Sequence, residues 1–506
     1  MNEVTVGSLG SILPEIILLF GGLLILILDT TLGNKNDSGR GYMAIAVLFL
    51  FVSLVGVFAQ FGRFTATGFP TEPFTALTVI DVDPFGLFVK ITVYSAMLIV
   101  AVSGGAFMNA RVSGKGEFWS LFLFVTMAMS LAVSANNLLL IFLAIESLSI
   151  ISYVLVGIVT TDKRSTEAGI KYFLYGSVAS SIMLYGMSFL YGASGSLNLQ
   201  AIGQAFAEKA NLEPVALVSS LLLLVGLGFK TSLAPFYQWA PDTYDGAPTP
   251  ITAYLSTASK AVGFAVLVRV FLVAFGAYRT DWIPILSGLS IFTMSIGNLI
   301  ALRQTSVKRM LAYSSVAQAG YILMGLVAVV STAQGDLATL TINGLNGLLI
   351  YLFAYLFTNV GAFMVVMAVE EDMGNAEIDS FENLFQRSPA LAFSMFVFLL
   401  SLTGIPLTGG FIGKFYVFGA AVQHQYFWLA AIATINAAIA AYYYLNIVRA
   451  MFFGAHVEGK KPVQIGIPIQ LALIVCVVAT FWIGIYPPNV IDWADNASRQ
   501  LLALGF

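Results

Sequence analysis

Runs of about twenty apolar residues recur from one end of this chain to the other, and they restrict the fold more than any other feature. ILPEIILLFGGLLILIL near the N-terminus and LLLIFLAIESLSIISYVL further on are two of them. Each is long enough to cross a hydrocarbon core about 30 Å thick as a helix. In that medium backbone polar groups need partners within their own segment, which favours helices throughout. Counting the runs predicts about fourteen spans. They begin near Leu13, Tyr42, Pro84, Phe118, Leu138, Ala168, Pro214, Thr249, Trp282, Val307, Leu340, Pro389, Tyr426 and Ile465. The expected class is an all-α polytopic membrane protein embedded in a lipid bilayer.

Composition narrows the function classes. The 506 residues are 58% hydrophobic and 10% charged, against about 25% charged in ordinary soluble domains. The longest polar connections, Gly62 to Asp83, Ser194 to Glu213 and Glu370 to Ser388, are too short for a soluble catalytic domain. A net charge of -3 argues against nucleic-acid binding. The single Cys476 excludes a disulfide framework and thiolate metal sites. His424 and His456 both fall in connections between spans, so no haem with two axial histidines is expected within the bilayer. The start MNEVTVGSLG lacks a signal peptide's basic region, and the first span is expected to be retained.

Lysine and arginine sit unevenly in the connections. One side carries residues such as Lys35, Arg40, Lys115, Lys163, Arg309, Arg387, Lys460 and Lys461. The other side, with both termini, carries Arg63, Lys209, Arg279 and Arg499. A bias of about three to one predicts both termini outside the cytoplasm, consistent with an even number of spans.

Four charges lie inside the apolar runs themselves: Glu146, Lys230, Lys260 and Lys414. A charge at bilayer depth costs about 2.5–3.5 kcal/mol on insertion scales and marks an ion path when it persists. Helical spacing groups Glu146, Ser149, Tyr153 and Gly157 on one face, and Ser256, Lys260 and Gly263 on another. A static ion pair between Glu146 and Lys230 is the simplest structural account, but Lys260 and Lys414 have no acid nearby in the sequence. Lysine titrates when its surroundings change, whereas arginine stays charged. These residues therefore point to proton or ion movement. Lys90 and Glu15, near the ends of their spans, read as side chains reaching the interface. Lys171 either does the same or joins an uptake path, and Arg269 reads as interfacial or structural.

A weak internal repeat accompanies the charges. Tyr153-Val-Leu-Val-Gly157 echoes Tyr321-Ile-Leu-Met-Gly325, and Pro235-Phe236-Tyr237 is echoed by Lys414-Phe415-Tyr416. Both echoes lie five spans apart, and an odd offset means that the related segments cross in opposite directions. The expected organisation is an N-terminal three-helix segment (1–117), a first repeat of spans 4–8 (118–275), a second inverted repeat of spans 9–13 (276–456), and a C-terminal helix and tail (457–506). Span 7 carries Gly226, Gly228 and Pro235, and span 12 carries Gly404, Pro406, Gly409 and Gly410. Both are expected to be broken helices, the best sequence pointer to a transport site.

NNLLLIFLAIESLSIISYVLVG, RSTEAGIKYFLYGSVASS, GFKTSLAPFYQWAPDTYDGAPTPITAYLSTASKAVGFA, VKRMLAYSSVAQAGYILMG and TGIPLTGGFIGKFYVF resemble the antiporter-like membrane subunits of respiratory complex I, the proton-pumping NADH:quinone oxidoreductase. Within that family the PDTYDGAPTP linker, the lysine in span 12 and the fourteen-span length resemble the N branch most. The resemblance implies that Glu146 and Lys230 form a gating pair, that Lys260 lies at the centre of the proton path, and that Lys414 belongs to its exit half. Lys171, Tyr153, Ser256 and Tyr237 are candidates for uptake or relay. Where family members often carry histidine in the APFHxW segment this chain has Tyr237, which puts a histidine-based link in doubt.

The resemblance further implies a bacterial inner membrane, a driven module without redox groups of its own, and neighbouring antiporter-like and peripheral subunits as partners. FMN, iron–sulfur clusters and quinone would belong to those partners. Two other readings remain: a subunit of a multisubunit Mrp-type sodium/proton antiporter, and a free-standing carrier of organic solutes. A carrier needs a polar site fitted to its solute, and the residues here are mainly proton-capable.

Overall fold

In a computed structural model, the structure describes residues 10–32, 38–67, 74–76, 79–208, 213–329, 342–454 and 462–504. Lys35, Lys209, His456, Lys460 and Lys461 lie outside them. The described chain is almost entirely helical. Helices α1 (Leu13–Leu32), α2 (Arg40–Thr67), α3 (Pro84–Arg111), α4 (Lys115–Ser134), α5 (Leu138–Val156) and α6 (Lys163–Ser194) come first. The short helix α7 (Leu199–Glu208) precedes α8 (Glu213–Thr231), α9 (Trp239–Gly246), α10 (Thr249–Ala274), α11 (Arg279–Ala301), α12 (Val307–Val327) and α13 (Gly344–Met373). Then follow α14 (Pro389–Thr403), α15 (Gly409–Gln423), α16 (Phe427–Phe453), α17 (Ile467–Ile485) and α18 (Pro488–Leu504).

Thirteen of these helices are long and apolar enough to cross a membrane. The fourteenth expected span is present as α14 and α15, two helices of 15 residues each, neither of which is long enough alone. Two elements depart from the expected all-helical, single-tail plan. A two-stranded hairpin, Phe74–Ala76 with Ile80–Val82, precedes α3. The segment after the last span forms α18, which packs against α3 and α13.

Helix starts follow local chemistry. Asp83, Asn137, Asp162 and Ser306 accept hydrogen bonds from backbone N–H groups of the first turns of α3, α5, α6 and α12. Asn343 and Asn346 bond reciprocally at the start of α13. Helix α13 is the central post: it is buried from Gly344 to Val369 and touches α3, α12, α14, α15, α17 and α18. Helix α10 is likewise buried throughout, while α1, α2 and α17 sit at the margin.

The structure corrects the reading of Glu15 and Lys90. Neither reaches an interface. They form a buried ion pair of 2.6 Å, and Ser130 donates to the same Glu15 oxygen at 2.5 Å while Tyr94 donates to Ser130. Helices α1, α3 and α4 are tied together there, because an apolar surrounding leaves each charge no other partner. Arg269 is structural: it donates at 2.8 and 2.9 Å to both oxygens of Asp83, joining α10 to the start of α3. Removing one partner of a buried pair costs about 3–5 kcal/mol, more than removing both. Lys90→Met should lower the unfolding free energy in a denaturing-detergent titration by about that amount. Adding Glu15→Leu should recover part of the loss; an undiminished loss in the double variant would contradict the pairing.

Candidate functional site: a buried series of lysines

Lys230, Lys260 and Lys414 all stand where regular α-helical bonding is interrupted. Lys230 occupies the last turn of α8, which ends at Thr231. The chain then turns through Pro235, and the freed backbone groups find partners: Leu233 N–H bonds to Gly228 O at 2.8 Å, and Ala234 N–H to Thr293 Oγ1 of α11 at 2.9 Å. Trp239 closes the break by donating to Phe229 O. Lys260 follows a π turn, Leu255–Ser259, inside α10. Single π turns are rare and concentrate at functional sites. This one is braced by Asn359 of α13, which donates to Ser256 Oγ at 2.7 Å. Lys414 lies opposite the break between α14 and α15, where Gly404 has φ +92°. Both expected breaks are present, and the π turn is an addition that sequence periodicity did not reveal.

Each ammonium group is buried, and among the described residues none of the three forms an ion pair. Lys230 Nζ donates to Ser149 Oγ of α5 at 3.2 Å. Lys260 Nζ donates to Ser315 O and Oγ of α12 at 2.7 and 3.0 Å. Lys414 Nζ donates to Leu402 O and Thr403 O at 2.8 and 2.9 Å. Glu146 is half-buried between α5 and α6 and accepts a 2.6 Å hydrogen bond from Ser180. Glu146 and Lys230 are therefore unpaired in this structure, each resting on a serine, with Ser149 one turn from Glu146 on α5.

The series is continuous in packing. A Cβ at Gly263 would fall 3.2 Å from Lys230 Cγ and 2.9 Å from Thr231 Cγ2, so α8 and α10 cross closely within a turn of Lys260. From Lys260 the polar contacts pass to α12. There Gln318 donates to Leu402 O at 3.2 Å, the same carbonyl that holds Lys414. Gln318 also donates to Tyr444 and accepts from Tyr351, and Tyr444 is bonded to Ser314. Ser315 and Gln318 were missed in the sequence, although Ser314, Ser315, Gln318 and Tyr321 share a helical face of α12.

The remaining candidates are placed less uniformly. Tyr153 is buried near Ser149, and it stacks edge-on against Tyr172 at 4.7 Å. The Tyr172, Tyr244 and Tyr254 hydroxyls are also buried, Tyr244 beside Ser232 and Ser315 and Tyr254 beside Ser152. Ser256 is engaged by Asn359. Tyr237 is half-exposed and packs edge-on to Tyr313, so it is not gathered with the lysines. Lys171 lies in a charged cavity of about 320 Å³ with Arg164, Glu167, Asp242, Lys308, Arg309 and Glu370. It pairs with Glu167 at 2.8 Å and Asp242 at 2.9 Å, and Arg309 holds the other Asp242 oxygen at 2.8 Å.

With this geometry described, comparison places the chain. Residues 135–440 match the family described as NADH:quinone oxidoreductase/Mrp antiporter, transmembrane. The chain belongs to this family. NADH-quinone oxidoreductase subunit N of Moorella thermoacetica is 37% identical over 94% of this chain and 95% of its own. F(420)H(2) dehydrogenase subunit N of Methanosarcina mazei is also 37% identical, over 97% of this chain and 98% of its own. A chain of respiratory complex I from Thermus thermophilus with bound aureothin superposes with a TM-score of 0.77 at 29% identity, covering 95% of this chain and 98% of that one. The resemblance read from the sequence to the antiporter-like subunits, and to the N branch in particular, stands.

Two tests arise from the site. Gln318→Leu strands the Tyr351 hydroxyl and takes one hydrogen bond each from Tyr444 and Leu402 O. It should destabilise the chain by about 1–3 kcal/mol in a denaturing-detergent titration, and no loss would show that Gln318 is not the hub. The second concerns Asp242, in the short helix α9 between the spans α8 and α10. Burial pushes its carboxyl up, but the hydrogen bond from Lys171 and the charges of Arg309 and Lys171 outweigh that and hold it below the usual carboxylate range. A lowered folded-state value stabilises above the unfolded value and is lost as pH falls through the folded one. The melting-temperature gap between wild type and Asp242→Asn should be steady from about pH 8 to 5 and close below about pH 4.

Proposed function

We propose that this chain is the N-type proton-translocating membrane subunit of a quinone-reducing complex of the complex I kind, driven by redox subunits that it does not itself contain. The observation that carries the reading is the series of buried lysines held by hydroxyls and carbonyls rather than by carboxylates. A lysine so held gains and loses a proton without breaking a permanent ion pair. Moving one proton against about 180 mV requires about 4 kcal/mol, within the range of making and breaking one desolvated contact.

Glu146 and Lys230 act as the gate in this scheme. Both side chains stand on serines beside α5, and rotation of either from its serine brings opposite charges together. Lys260 is the central station, and Lys414 is the station of the exit half. The charged cavity at Lys171 is the uptake side. Placing that side in the cytoplasm accords with the lysine and arginine bias, and puts both termini across a bacterial inner membrane from it. The two five-helix repeats accord with helix breaks at corresponding places in α8 and in α14–α15.

Flavin and iron–sulfur groups of partner subunits pass electrons to quinone, and this chain converts the resulting structural change into proton movement. Its own sequence leaves the donor to those partners, since relatives at equal identity belong to NADH and F(420)H(2) enzymes. An Mrp-type sodium/proton antiporter is the second reading, favoured by the shared family.

Purification of the tagged chain in mild detergent, with mass spectrometry of what accompanies it, separates the two. Flavin and iron–sulfur subunits support the first reading, and small membrane partners alone support the antiporter. In the assembled complex in proteoliposomes, Lys230→Met should lower proton transfer at least about tenfold, equivalent to about 1.4 kcal/mol. A wild-type rate would remove Lys230 from the gate.

A further inference from the structure

Lys414 has a third neighbour beside the two carbonyls, and it is aromatic. Its Nζ lies 4.9 Å from the centroid of the Tyr321 ring. An ammonium within about 6 Å of a ring face is attracted by the ring's quadrupole. An ammonium has three N–H donors. Two are engaged by Leu402 O and Thr403 O, at the C-terminal end of α14 where helix carbonyls carry partial negative charge.

The ring is fixed from behind. Tyr321 OH accepts a hydrogen bond from Asn298 Nδ2 of α11 at 2.9 Å. Asn298 also reaches Asn436 Oδ1 at 3.2 Å and accepts from Tyr443 OH at 2.9 Å, both on α16. Asn298 and Tyr321 are fully buried. All three side-chain hydrogen bonds of Asn298 are to tyrosine hydroxyls or an amide, none of which titrates near neutrality in ordinary settings. An amide does not carry a proton as an acid or base, so this network holds a position and conducts nothing. Phe418, one turn beyond Lys414 on α15, packs against the same ring with 6.0 Å between centroids. Gly404 completes the arrangement: a Cβ there would fall 2.8 Å from Lys414 Cδ, so the lysine lies across a residue that has to be glycine.

We propose that the face of Tyr321, oriented by Asn298, is a cation-selective seat for the protonated side chain of Lys414, making Tyr321 and Asn298 positioning residues for proton transfer at that lysine. The proposal rests on the reading of Lys414 as a proton-transfer station. A carboxylate would hold the ammonium as an ion pair and resist release, while a ring face and two carbonyls hold it without a counter-charge. The neutral amine forfeits the attraction to the ring, so the seat distinguishes the two protonation states.

The test places phenylalanine with none, one, two and three ring fluorines at position 321 by amber suppression in the assembled complex in proteoliposomes. Fluorine withdraws charge from the ring face with little change in size. Proton transfer per quinone reduced should fall step by step, by about tenfold across the series, because the ammonium occupies the seat for less of the time. A merely structural role for the ring gives a flat series, and a flat series overturns the proposal. Tyr321→Leu should lose more than Tyr321→Phe, which keeps the π face; equal losses would also count against it. Lys414→Met separates this idea from the reading beneath it. If Lys414→Met stops transfer while the fluorine series is flat, the seat alone fails. If Lys414→Met transfers protons at the wild-type rate, the role of Lys414 fails, and the seat with it.

Discussion

A charged lysine enclosed by apolar helices needs oxygen atoms, and in a regular helix each carbonyl already has one lone pair bonded to the helix's own N–H groups. That constraint organises the middle of this protein. Lys414 faces the break after α14 and takes the two carbonyls which the break releases. Lys260 follows a π turn and reaches Ser315 O on α12. Lys230 sits in the last turn of α8, just before the chain reverses. Each of the three lysines thus stands beside an interruption, and at Lys414 the interruption itself supplies the carbonyls, whose freed groups need protein around them at membrane depth.

Buried charges here fall into two sets that differ in chemistry. Glu15 with Lys90 and Asp83 with Arg269 are closed pairs in which acid and base are matched at 2.6 to 2.9 Å. They join α1, α3 and α10, and arginine in one of them removes any prospect of titration. The second set, Lys230, Lys260 and Lys414, has neutral partners only. A paired charge is expensive to change, and an ammonium on hydroxyls and carbonyls is much less so. The first set therefore suits scaffolding and the second suits work.

Reading the sequence reached the spans, the two breaks and the four central charges, because long apolar runs, Pro and Gly punctuation and charges in lipid are each visible within a few residues. It failed where the decisive partner is remote. Glu15 and Lys90 looked like interfacial side chains because each lies near a span end, and their pairing depends on α1 packing beside α3, 75 positions apart. Gln318 was unremarkable within its own segment, and its importance comes from Leu402, Tyr351 and Tyr444 on three other helices. The π turn at Leu255–Ser259 had only a cluster of serine and threonine before Lys260 to announce it. Helix α18 was read as a tail because a helix of polar and apolar residues with one buried face is not long or apolar enough to look like a span.

Between Lys260 and Lys414 stands one face of α12, carrying Ser315 and Gln318. Leu402 O accepts from Gln318 and from Lys414 together, which uses both lone pairs of a single carbonyl. Gln318 stands one turn beyond Ser315, the residue that holds Lys260. Glutamine does not titrate, so no proton is stored between the two lysines at this point. The two lysines are thus held from one helix face of α12, Lys260 directly on Ser315 and Lys414 through the carbonyl that Gln318 also holds. Neither contact is a counter-charge, so what lies between the lysines is a fixed polar scaffold and not an ion pair.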